Sequence, residues 1–371
     1  TRLGELMFDV LRPLKLPTDL FAVLVVVMAA VPTAYSGASG ILVLALGATI
    51  YTELRRSGAS QQRALAATAM SGSLGVVLPP CLLVVIVASI NLDVTTDELF
   101  HWGWRVFFLT TTMFALVSFA LRKTAWTFKP QPGAGGESMK AVRGLLPYLG
   151  IALAVIAFFW LALNAVLDEH TAPYVLPVAL LAIIPWDRVS ARRAAKSETT
   201  PKAKPETSLD TGTHIGALLM LMGLSACLGG VIESAEIVEL FPQDAGSPLV
   251  AMSMLMVVLV LIGMVMDPYG AVILVSVTLY PIAKLNGIHP LNFWMTALVS
   301  FELGYLTPPV ALNHLLTRQV VQHLPEYDED EEIDPSASFV ERHERLLVPI
   351  TVLTVTLLTV ALGPILYGVT G

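Results

Sequence analysis

Two stretches of this 371-residue chain place a glycine four positions ahead of a double proline: Gly75-Val76-Val77-Leu78-Pro79-Pro80 and Gly304-Tyr305-Leu306-Thr307-Pro308-Pro309. Both lie in apolar surroundings that otherwise read as helix. A proline there removes a backbone donor, obstructs the carbonyl one turn earlier and biases its predecessor away from helical geometry. The pattern predicts that residues 75–78 and 304–307 are partly unwound, with proline at the first position of each restarted helix. Carbonyls released by such a break need protein, water or a bound ion as partner. Oxygens of this kind suit Na⁺, and the positive end of a restarted helix suits a carboxylate.

Two compact polar turns offer further ligands. Ser36, Gly37, Ser39 and Gly40 interrupt one apolar stretch, and Asp267 and Tyr269 another; each is the expected tip of a helical hairpin. Asp267 and Glu302 are acids deep in apolar segments, where an ionisable group is costly and marks an ion path or a partner. Asp267, at a tip, is the better ion-ligand candidate, and Glu302 reads equally well as a structural acceptor. His314, beyond the second break, reads as a satisfied packing histidine. Cys81 and Cys227 have no CxxC partner or metal set and read as small packing residues. A kink for packing is the plain account of one Pro-Pro pair; two related breaks facing two polar tips argue for a site.

The elements that position these residues follow from composition. Hydrophobic residues make up 55% of the chain, charged residues 14%, and mean hydropathy is +0.72, more apolar surface than a soluble fold can hide. Runs at 20–34, 106–121, 145–167, 214–232, 249–266 and 346–367 approach or exceed the ~20 residues that cross a ~30 Å hydrocarbon core. Lipid offers the backbone no hydrogen bonds, and the runs are too long and continuous for barrel strands. The expected fold class is an all-α integral membrane protein. Basic patches interleaved with aromatics are absent, which argues against nucleic acid, and no HExxH, GxSxG or P-loop motif points to an enzyme. No cleavable signal peptide is visible. The chain enters a membrane segment soon after Thr1, so its true start is expected upstream.

Positive charges orient the spans. With Arg55, Arg56 and Arg63 cytoplasmic, 64–90 crosses outward to the acidic loop 91–99 and 106–121 returns to Arg122, Lys123, Lys129, Lys140 and Arg143. Residues 145–167 lead out to Asp168 and Glu169, 174–185 lead back to Arg188, Arg192, Arg193, Lys196, Lys202 and Lys204, and 214–232 lead out to Glu233, Glu236, Glu239 and Asp244. Segments 20–34 with 41–54 form a hairpin entered from the cytoplasm, and 249–266 with 270–283 one entered from outside. Residues 291–320 then cross inward. Only Arg105 and Lys284, of 22 Lys and Arg, fall outside. Residues 197–210 read as a flexible linker and 326–334 as a solvated acidic loop.

A shift of 229 positions lays Tyr51, Gly58, Gly75, Pro79 and Pro80 on Tyr280, Gly287, Gly304, Pro308 and Pro309, with Thr49 on Thr278, Ser71 on Ser300 and Leu74 on Leu303. The charge count gives the two units opposite orientations, so inverted repeats are expected, a common plan among secondary transporters. The chain divides into a first repeat (1–100), connecting helices and linkers (101–211), a second repeat (212–321), and an acidic loop with the last helix (322–371).

The motifs Tyr35-Ser-Gly-Ala-Ser-Gly40, Gly75-Val-Val-Leu-Pro-Pro80, Gly287-Ile-His-Pro-Leu-Asn-Phe293 and Glu302-Leu-Gly-Tyr-Leu-Thr-Pro-Pro-Val310, followed by Asn313, resemble the large membrane subunit of tripartite ATP-independent periplasmic (TRAP) transporters. The resemblance extends over nearly the whole chain. It implies an elevator-type carrier with two re-entrant hairpins and two broken transmembrane helices, in the bacterial inner membrane. It also implies sodium-coupled uptake of a small organic acid, C4-dicarboxylate-like or another carboxylate, with no cofactor beyond Na⁺ as coupling ion. A small membrane subunit and a periplasmic substrate-binding protein are the implied partners. Carried over by motif, the first Na⁺ site falls on Ser36, Gly37, Ala38 and Ser39 with Gly75, Val77 and Pro79, and the second on Asp267 with Gly304, Thr307 and Pro308. Substrate falls on Ser39, Gly40, Pro80, Tyr269, Pro309 and Asn313. The chain departs from the family pattern at Cys81, where serine is usual, and at the Gly-Ala-Ser tip, where Gly-Ser-Ser is usual; the family's leading transmembrane helices are absent. A stand-alone divalent-anion/sodium symporter also uses paired hairpins and is the alternative from architecture alone.

Single cysteines test the threading once Cys81 and Cys227 are replaced. Those at Ser60 and Ala203 are expected to resist an impermeant thiol reagent in intact cells, and those at Thr96 and Asn286 to react. Labelling of Ser60 and Asn286 from one side would contradict the inversion.

Overall fold

In a computed structural model the described residues are 8–122, 134–163, 245–328 and 338–367, with isolated helical positions between 175 and 234. Regular structure among them is helical throughout: α1 Thr18–Ser36, α2 Ser39–Arg56, α3 Gln61–Met70, α4 Leu82–Ile90, α5 Thr96–Ala120, α6 Ala134–Leu163, α7 Pro248–Val265, α8 Pro268–Val277, α9 Leu279–Leu285, α10 Pro290–Leu306, α11 Leu312–Val321, α12 Phe339–Arg342 and α13 Glu344–Leu366. The linker 197–210, the acidic stretch 329–334 and the continuous course of the spans 174–185 and 214–232 lie outside the described residues, as do Lys123, Lys129, Asp168 and Glu169.

Among the described residues four helices are long and apolar enough to cross a membrane: Thr96–Ala120, Ser138–Leu161, Pro248–Val265 and Glu344–Leu366. Two further pairs are bent, Gln61–Val77 with Leu82–Ile90 by 41° and Pro268–Val277 with Leu279–Leu285 by 46°. The chain separates into two compact units, residues 1–16 with 127–219 and residues 17–126 with 220–371. In the first, α6 is joined to the N-terminal stretch by Ser138, whose Oγ donates to Val10 O at 2.9 Å. The second holds the helix breaks, the hairpin tips and the residues packed on them.

Helix starts in the second unit are written in local chemistry. Thr95 and Glu98 form a capping box on α5, satisfying two of the otherwise orphaned first-turn donors. Ser247-Pro248, Asp267-Pro268 and His289-Pro290 each put a capping side chain before a proline at the first helical position, where its missing N–H costs nothing. α10 is buried along its length, from Asn292 to Leu306, and packs between α7 and α13. Phe293, Trp294 and Phe301 on it, with Tyr51 on α2, are the largest fully buried side chains. A helix enclosed on all sides can afford apolar residues all round.

Both hairpins stand where expected, one turn longer at their ends for α1 and α2, and with the arm 270–283 split at Thr278 into α8 and α9. The element bounds recur at the offset read from the sequence: α1 and α2 correspond to α7 and α8–α9, α3 to the start of α10, and α4 to α11. Cis peptide bonds occupy Pro79-Pro80 and Pro308-Pro309. The two breaks are nevertheless unlike. The first runs over residues 71–81 with one 3₁₀ turn at Gly75–Val77, longer than expected. In the second, residues 304–306 remain helical and only 307–311 are open, because proline obstructs the turn behind it without unwinding a turn already held by packing. Nor do the prolines open the restarted helices, which begin at Leu82 and Leu312.

Each hairpin grips the chain just beyond the other broken helix. Tyr51 Oη and Arg55 Nε both lie 3.3 Å from Glu326 O, and Gln61 Nε2 donates to Asp328 O at 2.7 Å. At the corresponding positions of the second hairpin, Tyr280 Oη donates to Asp93 Oδ2 at 2.7 Å and Lys284 Nζ pairs with the same oxygen at 2.9 Å. The Tyr280 hydroxyl and Lys284 hold the Asp93 carboxyl below the usual carboxylate range.

Arg63 joins four helices in a buried ionic knot. It pairs closely with Asp19 on α1, its Nε donates to Glu344 Oε1 on α13 at 2.6 Å, and its Nη2 donates to Leu121 O at the end of α5 at 2.8 Å. Arg63→Met would strand two buried carboxylates, so a loss of about 3–5 kcal/mol is expected in detergent unfolding of the purified protein. Adding Asp19→Asn and Glu344→Gln should recover part of it, and an unchanged midpoint for Arg63→Met would refute the role.

Candidate functional site

The first tip is made by a helix end and a helix start. α1 closes on Gly37, whose φ of 66° lies in the left-handed region and whose N–H donates to Thr33 O at 2.8 Å, a glycine-favouring C-cap. Ala38 is extended and Ser39 opens α2. At the second tip, Asp267 caps α8 by accepting from Tyr269 N at 3.1 Å, and its other oxygen accepts from Tyr305 Oη at 3.3 Å. One carboxylate thus fixes the start of α8 and ties it to α10.

Close backbone contact holds each break against its own hairpin. A Cβ on Gly75 would overlap Ala30 O and lie 2.7 Å from Ala34 N, both on α1; one on Gly304 would lie 2.5 Å from Gly263 C and 2.6 Å from Met264 N on α7. Ala34 and Gly263 are themselves related by the 229-residue shift, so the same contact is built twice.

The tips then meet the opposite breaks. Asn313, on α11, donates from Nδ2 to Ser39 Oγ at 3.2 Å, and both residues are fully buried. Glu302 faces the Ser39 and Ser73 hydroxyls, yet neither of its carboxylate oxygens has a well-formed hydrogen bond. Ser73 Oγ and Asn313 Oδ1 are likewise buried without a partner. A position for a side chain on Gly37 would be 3.1 Å from Cys81 Sγ and 3.2 Å from both Leu83 N and Tyr269 Oη, so the second tip also touches the first. Buried polar groups in native proteins are nearly always paired. Here unpaired oxygens of Ser73, Glu302 and Asn313 fall together, and oxygen is the ligand type of hard cations.

Among the expected site residues, Gly37, Ala38, Ser39, Gly40, Asp267, Tyr269 and Asn313 come together at the tips, with Gly75 and Gly304 beside them. The side chain of Ser36 lies outside what is described. Val77 is buried with its carbonyl against Gly103 of α5, and Thr307 Oγ1 donates to Leu303 O at 2.6 Å. Pro79, Pro308 and Pro309 are exposed and Pro80 is half-buried, which sets all four apart from the fully buried cluster. Cys81 is a buried packing residue, as expected, and lies beside the first tip, whereas Cys227 is exposed rather than packed. His314, expected to be satisfied, has a buried Nε2 without a partner. Ser73 and Tyr305 were not singled out from sequence. Ser73 was findable, since the shift lays it on Glu302.

A helical membrane protein with two hairpin tips meeting two helix breaks is the architecture of a transport permease. The family described as "Tripartite ATP-independent periplasmic transporter, DctM component" matches residues 19–366, and the chain belongs to it. It is a family of transport permeases, not of enzymes. The chain is 23% identical over 305 residues to the C4-dicarboxylate TRAP transporter large permease protein DctM of Vibrio cholerae, covering 78% of this chain and 66% of that one. It is 24% identical over 296 residues to the protein of that name in Pseudomonas aeruginosa, covering 77% and 65%. A 100-residue match at 25% identity, 26% of this chain and 16% of the other, links it to the isethionate TRAP transporter permease protein DctMQ of Oleidesulfovibrio alaskensis. The matched part therefore spans a little under two thirds of the DctM relatives' length.

The glycine contacts give a steric test. Gly304→Ala forces α7 and α10 apart and is expected to cost about 1–3 kcal/mol, the usual range for overpacking. Gly150→Ala in α6 meets nothing within 4 Å and should be neutral or slightly stabilising. Equal unfolding midpoints for the two variants would contradict the close approach.

Proposed function

We propose that this chain is the large membrane subunit of a binding-protein-dependent TRAP transporter that couples Na⁺ entry to uptake of a small organic acid. The observation that carries the reading is the cluster of buried acceptor oxygens from Ser39, Ser73, Glu302 and Asn313, enclosed where both tips meet both breaks. Carboxylate, amide and hydroxyl oxygens gathered out of water favour a cation. The starts of α2, α4, α8 and α11 lie at the same meeting point, and their positive ends favour a carboxylate.

The first and second repeats are inverted in the membrane, a reading supported by Glu302 facing its repeat counterpart Ser73. The first Na⁺ is held by the first tip with the Gly75 break, the second by Asp267 with the Gly304 break, and substrate sits between the tips. Because each hairpin clasps the chain just beyond the other repeat's broken helix, the hairpins and breaks move as one body, as an elevator requires. The relatives' names, C4-dicarboxylate and isethionate, are those of small organic anions and support that substrate class. The partners are a small membrane subunit and a periplasmic binding protein, and the setting is the bacterial inner membrane.

Liposomes holding the full-length subunit and its small partner should accumulate substrate only with an inward Na⁺ gradient and a substrate-loaded binding protein outside. Added ATP should change nothing, and collapsing the gradient should stop uptake. Strong uptake of free solute without the binding protein would reject the tripartite reading.

A further inference from the structure

Away from the tips, the N-terminal end of α10 and the C-terminal end of α13 form a groove with α5. Its volume is about 500 Å³ and its wall includes Trp102, Val106, Leu109, Met295, Val360 and Pro364, within the roughly 300–1,000 Å³ range of small-molecule sites. The polar side chains of this mostly apolar wall include Arg105, His289 and Asn292. None serves the candidate transport site.

Each of the three has unused capacity for a ligand. Arg105 is exposed, stacks over Trp102 at 4.4 Å and approaches His101 Nε2 at 3.0 Å, and no carboxylate among the described residues pairs with it. Lys284, the other cation expected on that side, is already held by Asp93. His289 Nδ1 accepts from Leu291 N at 3.2 Å, which leaves Nε2 as the protonated nitrogen and a donor. Asn292 is 92% buried; its Nδ2 donates to Ala361 O at 3.2 Å, and its Oδ1 is buried without any partner. An arginine beside tryptophan and tyrosine at one end of a bundle is the pattern of a membrane–water boundary, and Tyr367 completes it here.

We propose that this groove binds an anionic glycerophospholipid, with its phosphate on Arg105 and His289, a headgroup hydroxyl on Asn292 Oδ1, and an acyl chain along the α5–α10–α13 wall. The charge selects the occupant. A purely apolar partner helix would leave the guanidinium and the Asn292 oxygen buried and unpaired, at a cost of several kcal/mol. A phosphodiester bearing hydroxyls satisfies both, and its tail matches the rest of the lining.

The test is native mass spectrometry of the full-length protein, delipidated in detergent and titrated with phosphatidylglycerol, phosphatidylcholine or glycerol phosphate. Phosphatidylglycerol should bind at least fivefold more tightly than phosphatidylcholine, and glycerol phosphate should not bind. Arg105→Gln should reduce phosphatidylglycerol affinity about fivefold, the effect of about 1 kcal/mol for one arginine at an anionic interface, while leaving phosphatidylcholine unaffected. Val360→Trp, which fills the groove without touching charge, should weaken lipid binding in a protein that still elutes as a single species. Equal affinity for the two lipids, or an unchanged Arg105→Gln variant, would overturn the proposal. So would crosslinking of a photoreactive residue at Met295 to a protein partner instead of to lipid.

Discussion

A peptide group in hydrocarbon has no solvent to hydrogen-bond with, and this single constraint organises the second unit. A helix can be broken in the membrane only where protein encloses the break. The chain meets the requirement twice, by laying a hairpin against each break and removing the side chain at the point of contact. Gly75 presses on α1 and Gly304 on α7, and α10, which carries the second break, is buried from Asn292 to its end. The hairpins are therefore best understood as covers for irregular backbone as well as elements with tips of their own.

Enclosure alone would leave two separate half-sites. They become one because the tips reach across: Ser39 to Asn313, and the second tip, through Tyr269, to Gly37 and Cys81. The clasps of Tyr51 and Arg55 on Glu326, and of Tyr280 and Lys284 on Asp93, repeat the exchange farther along the same elements. A contact repeated at equivalent positions doubles the constraint without new chemistry, and it leaves the repeat-related residues Ser73 and Glu302 facing one another.

The unit treats its buried acids in two ways. Asp19 and Glu344 are neutralised by Arg63, and Asp267 is occupied by capping α8 and accepting from Tyr305. Glu302 has hydroxyls nearby and no cation. A paired buried charge fixes the arrangement of helices, whereas a buried carboxyl without a partner adds free-energy cost and no such constraint. The contrast separates the acids that hold the fold from the one left without a hydrogen-bonding or ionic partner among the described residues.

The all-helical membrane character, the helices flanking each Pro-Pro pair and the offset of their bounds were legible in the sequence. They depend on local causes: apolar run length, proline's missing donor, and capping residues such as Ser247, Asp267 and His289 placed before a proline. Asp267 at its tip could be read the same way. The extent of each break could not, because proline acts only on its neighbourhood, and packing of Gly304 against α7 decides that residues 304–306 stay helical. The roles of Ser73, Tyr305 and Cys81 depend on side chains brought together from far along the chain. Whether Glu302 has a partner was equally beyond sequence, since an acid's environment is set by which helices close around it. Residue type and spacing determined what each element would be; only tertiary packing decided which polar atoms were left facing each other without a donor.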